Sequence, residues 1–283
     1  MLFNSLQFLL FFIVVTIGYF TIEHKYRWLL LLMASCFFYM SFIPVYIFIL
    51  GFTIVVDYFA GILIEKTKDG QRRIFLIASL IANIGVLAVF KYYHFLNDNI
   101  SFLMSAFKLT NPLPALEIVL PIGLSFHTFQ AMSYTIEVYK RNQKAERNFG
   151  VYALYVMFYP QLVAGPIERP QNLLHQFYET HTFDFQRFKS GFTLIAFGLF
   201  KKVVIADRLS LAVDYSYGNI ANQSGLSLTI ATFFYAFQIY CDFSGYSDIA
   251  IGAARIMGFK LMDNFRAPYF SQSVFEFWHR WHI

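Results

Sequence analysis

Charge is what this sequence has least of. Asp, Glu, Lys and Arg make up only 14% of its 283 residues, against about a quarter in an ordinary soluble domain. That shortfall argues against a water-soluble globule and leaves lipid as the solvent for most of the chain. Cysteine is nearly absent too: Cys36 and Cys241 lie far apart inside apolar stretches, where a thiol behaves as a small buried hydrophobe, so no disulfide framework is supported. A metal site is not expected either, because the bare pair His279 and His282 lacks a carboxylate or thiolate set at ligand spacing. No period of 20 to 50 residues repeats, which argues against a solenoid or array. The net charge of +5 sits in short clusters between apolar segments, a pattern that belongs to membrane topology and not to nucleic-acid binding. What the chain does have is apolar mass: 58% hydrophobic residues, 36 of them Phe, and a mean hydropathy of +0.52.

A membrane-crossing helix takes roughly 20 mainly apolar residues. Leu6 to Ile22, Ile74 to Tyr92 and Leu116 to Tyr139 qualify, and Trp28 to Ile64 can hold two spans broken near Pro44. No Lys or Arg precedes the first stretch and no small-x-small cleavage site follows it, so it reads as a retained span and not a signal peptide. Basic residues alternate with the spans: Lys25 and Arg27, then Lys66, Lys68, Arg72 and Arg73, then Lys140, Arg141, Lys144 and Arg147, with only Lys108 in the intervening loop from about Phe95 to Pro114. The excess of Lys and Arg in cytoplasmic loops then places the amino terminus outside and residues 140 to 150 inside. Val151 to Ile167 carries Pro160, Gly165 and Pro166 and is expected to be a simple span or a broken, re-entrant helix. His175 to Arg187 reads as a polar loop, Ser190 to Ile205 as apolar again, and Leu226 to Met257 as one tilted helix or two short ones.

Two polar stripes run through the apolar segments. Gly123, His127, Gln130, Tyr134 and Glu137 recur at steps of four and three and so share one helix face. They are either hydrogen-bonded packing residues or the lining of a cavity. Tyr235, Gln238, Asp242, Gly245, Asp248, Gly252 and Arg255 repeat the spacing. Here an internal ion pair between Asp248 and Arg255, a cap at a break near Ser244-Gly245, and a polar tunnel wall are all compatible with the pattern. The last cluster, Glu276 to His282, holds Trp278, Trp281, His279, His282 and Arg280. Interface-anchoring tryptophans explain part of it, and a neutral imidazole acting as general base near pH 7 is the chemical alternative.

Several segments together resemble a known family. These are Pro121-Ile-Gly-Leu-Ser-Phe-His-Thr-Phe-Gln130 with Ser133 to Tyr139, Pro160-Gln-Leu-Val-Ala-Gly-Pro-Ile-Glu-Arg169, Gly198-Leu-Phe-Lys-Lys-Val-Val-Ile-Ala-Asp207, Tyr240-Cys-Asp-Phe-Ser-Gly-Tyr-Ser-Asp-Ile249 and Glu276 to Ile283. In that order they resemble the bacterial membrane-bound O-acyltransferases (MBOAT), in the branch of alginate O-acetylation and D-alanyl transfer. The resemblance implies an all-α polytopic membrane protein, a single membrane domain over residues 1–283 built as a ring of tilted helices around a tunnel. It implies His282 as the catalytic histidine at the waist of that tunnel, and a second histidine beyond the end of this chain, so that the 283 residues are expected to be an incomplete enzyme. Around His282, the residues Asp242, Asp248 and Arg255 are candidates to hold its helix, and Glu276 to orient its ring. His279 stands where the family commonly has Arg. No bound cofactor is implied. The expected donor is acetyl-CoA or another acyl thioester, the acceptor an exported polysaccharide, and the partner a periplasmic or extracellular acetyl-transfer protein, all at a bacterial inner membrane. D-alanyl transfer from a carrier protein to teichoic acid is the alternative within enzymes, and a transporter or scaffold subunit the alternative outside them.

Overall fold

The computed structural model describes residues 1–114, 123–162, 165–281 and 283, the Asp69 side chain aside. Among them every regular element is helical: α1 (Leu6–Thr21), α2 (His24–Met40), α3 (Ile47–Lys66), α4 (Asp69–Ala106), α5 (Leu124–Tyr139), α6 (Phe149–Met157), α7 (Pro170–Leu173), α8 (Phe185–Leu199), α9 (Asp207–Gly218), α10 (Gly225–Met257) and α11 (Val274–Trp281). Three helical stretches, Pro44–Lys66, Gly70–Ala106 and Gly225–Met257, are long and apolar enough to cross a membrane, and Leu6–Thr21 is a shorter apolar helix. Their outer faces carry exposed side chains such as Val14, Phe48 and Ile81, which suits hydrocarbon and not water.

Local signals explain the boundaries. Ser5 caps α1 by accepting from Phe8 N, and Pro44 opens a short 3₁₀ turn that separates α2 from α3, because proline is tolerated only at a helix start. The expected loop from Phe95 is corrected: α4 continues to Ala106, since no Pro or Gly interrupts residues 86–106. The chain then turns at Lys108, whose φ is 57°. The loop expected over His175 to Arg187 is also shortened, to about residues 179–184, because Asp184 caps α8 by accepting from Arg187 N at 2.6 Å. The broken reading of Val151 to Ile167 holds. α6 ends at Met157 ahead of Pro160, and Val151 to Met157 is buried throughout.

The basic connections gather at one end. Arg27 donates to His181 O at 2.5 Å, Arg72 to Tyr139 O at 2.7 Å, and Tyr58 to Arg147 O at 2.6 Å, while Arg147 pairs with Glu65. At the other end the amino terminus donates to Ser41 Oγ at 2.8 Å. Between them Asp57 on α3, with no exposed surface, accepts from Ser79 Oγ at 2.6 Å and Asn83 Nδ2 at 2.9 Å on α4, and Ser79 reaches Thr135 on α5 at 3.2 Å. Such bonds join helices where lipid offers no competing partner.

α10 is one continuous helix, so neither two short helices nor a break at Ser244-Gly245 is formed. Gly245 serves contact instead. A Cβ there would come within 2.8 Å of Gly198 O, and one on Gly252 within 2.6 Å of Gly191 O. These two glycine pairs let α8 and α10 approach backbone to backbone in an antiparallel register.

Candidate active site

The wide turn between α8 and α9, Phe200–Ala206, is a π-helix, whose i→i+5 bonding adds a residue to the turn. Lys201 and Lys202, adjacent in sequence, both face α10 as a result. Lys201 Nζ lies 2.6 Å from Asp248 and donates to Ser244 Oγ at 3.1 Å. Lys202 Nζ sits 2.6 Å from Asp242 and 2.8 Å from Asp207. The expected pair of Asp248 with Arg255 is therefore corrected: the direct partner is Lys201, and Arg255 instead donates to Ser190 Oγ at 3.0 Å. Two turns of α10 separate Asp248 from Arg255, whereas the π-helical turn after α8 brings a lysine directly alongside. Gln238, further up the same stripe, has its Oε1 buried without a hydrogen-bond partner among the described residues.

After α10 the chain is led by two polar side chains. Glu168, wholly buried, accepts from Met262 N. Gln176 brackets Lys260, donating to its O at 2.9 Å and accepting from its N at 2.8 Å. The segment so held delivers Asn264 next to Ser247 on α10. Beyond it, Arg266 N donates to Arg280 O at 2.8 Å, and the Trp281 ring is enclosed by Phe265 at 5.3 Å, Tyr269 at 6.0 Å and Tyr240 at 6.3 Å. His282 itself lies outside the described residues. The chain on its two sides does not: Trp281 rests in that aromatic cage and Ile283 N donates to Asn264 Oδ1 at 3.0 Å. On α11, Glu276 pairs with Arg280 at 2.5 Å and accepts from Gln272 N at 2.8 Å. The Gln272 amide first and Arg280 second hold its carboxyl below the usual carboxylate range. The Nδ1 of His279 bonds Phe275 O at 2.8 Å, within its own helix.

The stripe on α5 forms a buried face. His127, Gln130 and Tyr134 are almost fully covered. Glu137 accepts from Asn142 at 2.9 Å and Gln171 at 2.5 Å and pairs with Lys140 at 3.5 Å, so it serves the packing of the basic end. His127 and Gln130 behave differently: among the described residues His127 Nε2, Gln130 Nε2 and Gln161 Oε1 have no hydrogen-bond partner, and these side chains line one small cavity with Val156 and Pro166. That cavity joins the Pro121–Gln130 segment to the Pro160–Arg169 segment. The sequence reading passed over Lys201, Lys202, Glu168, Asn264 and Asp57. A visible signal existed for three of them, since Asp57, Lys201 and Lys202 are isolated charges inside apolar runs.

Residues 14–283 match the model of the family described as MBOAT, membrane-bound O-acyltransferase family. The chain belongs to this family. Over its whole length it is 39% identical to the probable alginate O-acetylase AlgI of Pseudomonas aeruginosa, covering 54% of that protein. It is 33% identical to the peptidoglycan O-acetyltransferase of Helicobacter pylori, again over the whole chain and 59% of that protein. Similarity to the teichoic acid D-alanyltransferase of Bacillus subtilis is lower, 24% over 57% of this chain. The chain thus spans a little over half the length of the relatives that it matches end to end. As an MBOAT chain it is a multi-pass membrane protein, and the Lys–Asp pairs of α8–α10 are polar ties within that membrane domain.

Proposed function

We propose that the full-length protein is an O-acyltransferase that moves an acetyl group from a cytoplasmic thioester donor, such as acetyl-CoA, to a hydroxyl of an exported polysaccharide. End-to-end identity to two O-acetyltransferases that differ in polymer carries this reading. The weaker and partial similarity to the D-alanyltransferase disfavours an aminoacyl donor. In the proposed step His282 takes the proton of the acceptor hydroxyl, the oxygen attacks the thioester carbonyl, the C–S bond breaks, and the leaving sulfur takes that proton from the imidazolium and departs as the thiol. The Lys201–Asp248 and Lys202–Asp242 pairs keep α10 fixed beneath this segment. His127 and Gln130 line the polar wall of the path on the α5 side. The protein sits in the bacterial inner membrane with its amino terminus outside, and a periplasmic transfer protein receives or completes the acetylation of the polymer.

Mass spectrometry of exported polymers from cells with and without the gene tests the proposal. Loss of acetyl esters, restored by the wild-type gene and not by His282→Ala at equal protein level, is the expected result. Loss of D-alanyl esters with acetyl esters intact would establish the other donor, and unchanged polymers would leave a non-enzymatic membrane role.

A further inference from the structure

We infer that Asn264 is a positioning residue that ties the backbone at Ile283, the residue directly after His282, to α10. This rests on the reading of His282 as the proton acceptor. Among the described residues the Asn264 side chain, 7% exposed, bonds its own loop and two distant pieces of chain. Its Oδ1 accepts from Ile283 N at 3.0 Å and from Phe265 N at 3.2 Å, and its Nδ2 donates to Ser247 Oγ on α10 at 3.4 Å. Ser247 has no exposed surface and lies one residue before Asp248, the partner of Lys201. One amide therefore connects the fixed face of α10 to the backbone immediately after residue 282. The loop around it is shaped for that purpose, because Phe265 (φ 58°) and Ala267 (φ 44°) both occupy the left-handed region, which residues with a Cβ adopt rarely and chiefly where surrounding structure imposes it. Trp281 completes the fixation from the other side, edge-on to Phe265 at 87°.

A loop staple and a positioning residue differ in what they change. Loss of a staple lowers the amount of folded protein. Loss of a positioning residue lowers turnover per folded molecule, because a displacement of about 1 Å at the reacting groups reduces rate on the order of 100-fold. The full-length protein in nanodiscs, with labelled acetyl-CoA and a polysaccharide acceptor, separates the two. Asn264→Leu, similar in size and without hydrogen bonds, is expected to lower kcat about 100-fold per folded molecule while the KM for acetyl-CoA stays within about threefold. Asn264→Asp keeps an acceptor for both amides and is expected to recover at least about tenfold of that loss. A negative charge introduced beside the residue that follows His282 favours the imidazolium, so the acid limb of this variant's kcat profile is expected to move to higher pH. Should Asn264→Leu fail to fold, the Asn264→Asp profile decides. An unshifted acid limb, or wild-type turnover in Asn264→Leu alongside an inactive His282→Ala, overturns the inference. Activity in His282→Ala would instead remove the acyl-transfer reading beneath it.

Discussion

Lys201 and Asp248 are each mostly covered, with side chains 11% and 16% exposed, and 2.6 Å apart. A pair of this kind is sensitive to losing one member and tolerant of losing both, since a lone charge retains its desolvation penalty with nothing to offset it. Lys201→Met or Asp248→Leu alone should each destabilise the protein by about 3 kcal/mol. The double variant should recover most of that loss. Unfolding in mixed micelles measures it, and additive single effects would show that the pair is uncoupled. Asp242 and Asp207, over 40% exposed on their side chains, share Lys202 and should matter less one at a time. Part of this was legible: acids at helical spacing in an apolar run announced that α10 has a polar face. The partner was not, because Arg255 on the same helix satisfied the pattern as well as a lysine on another one.

For helices, the antiparallel seam between α8 and α10 is a close backbone-to-backbone approach, made by Gly191 with Gly252 and Gly198 with Gly245. Gly198→Val would drive its side chain into the Gly245 carbonyl and the Ile249 side chain, and should lower stability by about 2 kcal/mol through overpacking. Gly85 on α4 has nothing within 4 Å of a built Cβ, so Gly85→Ala should leave stability equal or raise it by about 0.5 kcal/mol, as glycine is unfavourable in a helix interior. Equal effects of the two changes in the same unfolding assay would contradict a close-packed seam. Hydropathy and Pro44 were enough to place α1 to α3. They were not enough for the far end of α4, where the Tyr92 to Ala106 sequence loses its apolar character without containing a helix breaker.

At the level of the whole molecule, the basic turns near Lys25, Lys68 and Lys144 share one end, tied by the Arg27, Arg72 and Arg147 contacts. With that end in the cytoplasm, single cysteines replacing Lys68 and Lys144 in a protein lacking Cys36 and Cys241 should resist an impermeant thiol reagent in intact cells. A cysteine replacing Lys108 should react. Equal labelling at all three would reverse or dissolve the topology.

What the amino-acid sequence determined by itself was the solvent, the apolar character of the long helices, the alternation of basic turns with apolar segments and the existence of two polar faces. These follow from local quantities: hydropathy over about 20 residues, charge between spans and a 3.6-residue period. Only the tertiary structure decided which charges meet. Lys201 reaches Asp248 because a π turn rotates it and glycine pairs bring α8 onto α10. Asn264 reaches Ile283 because Glu168 and Gln176, roughly 90 residues earlier in sequence, guide the chain after α10. Contacts between segments so far apart depend on how whole helices pack, and no periodicity within one helix encodes its partner's register.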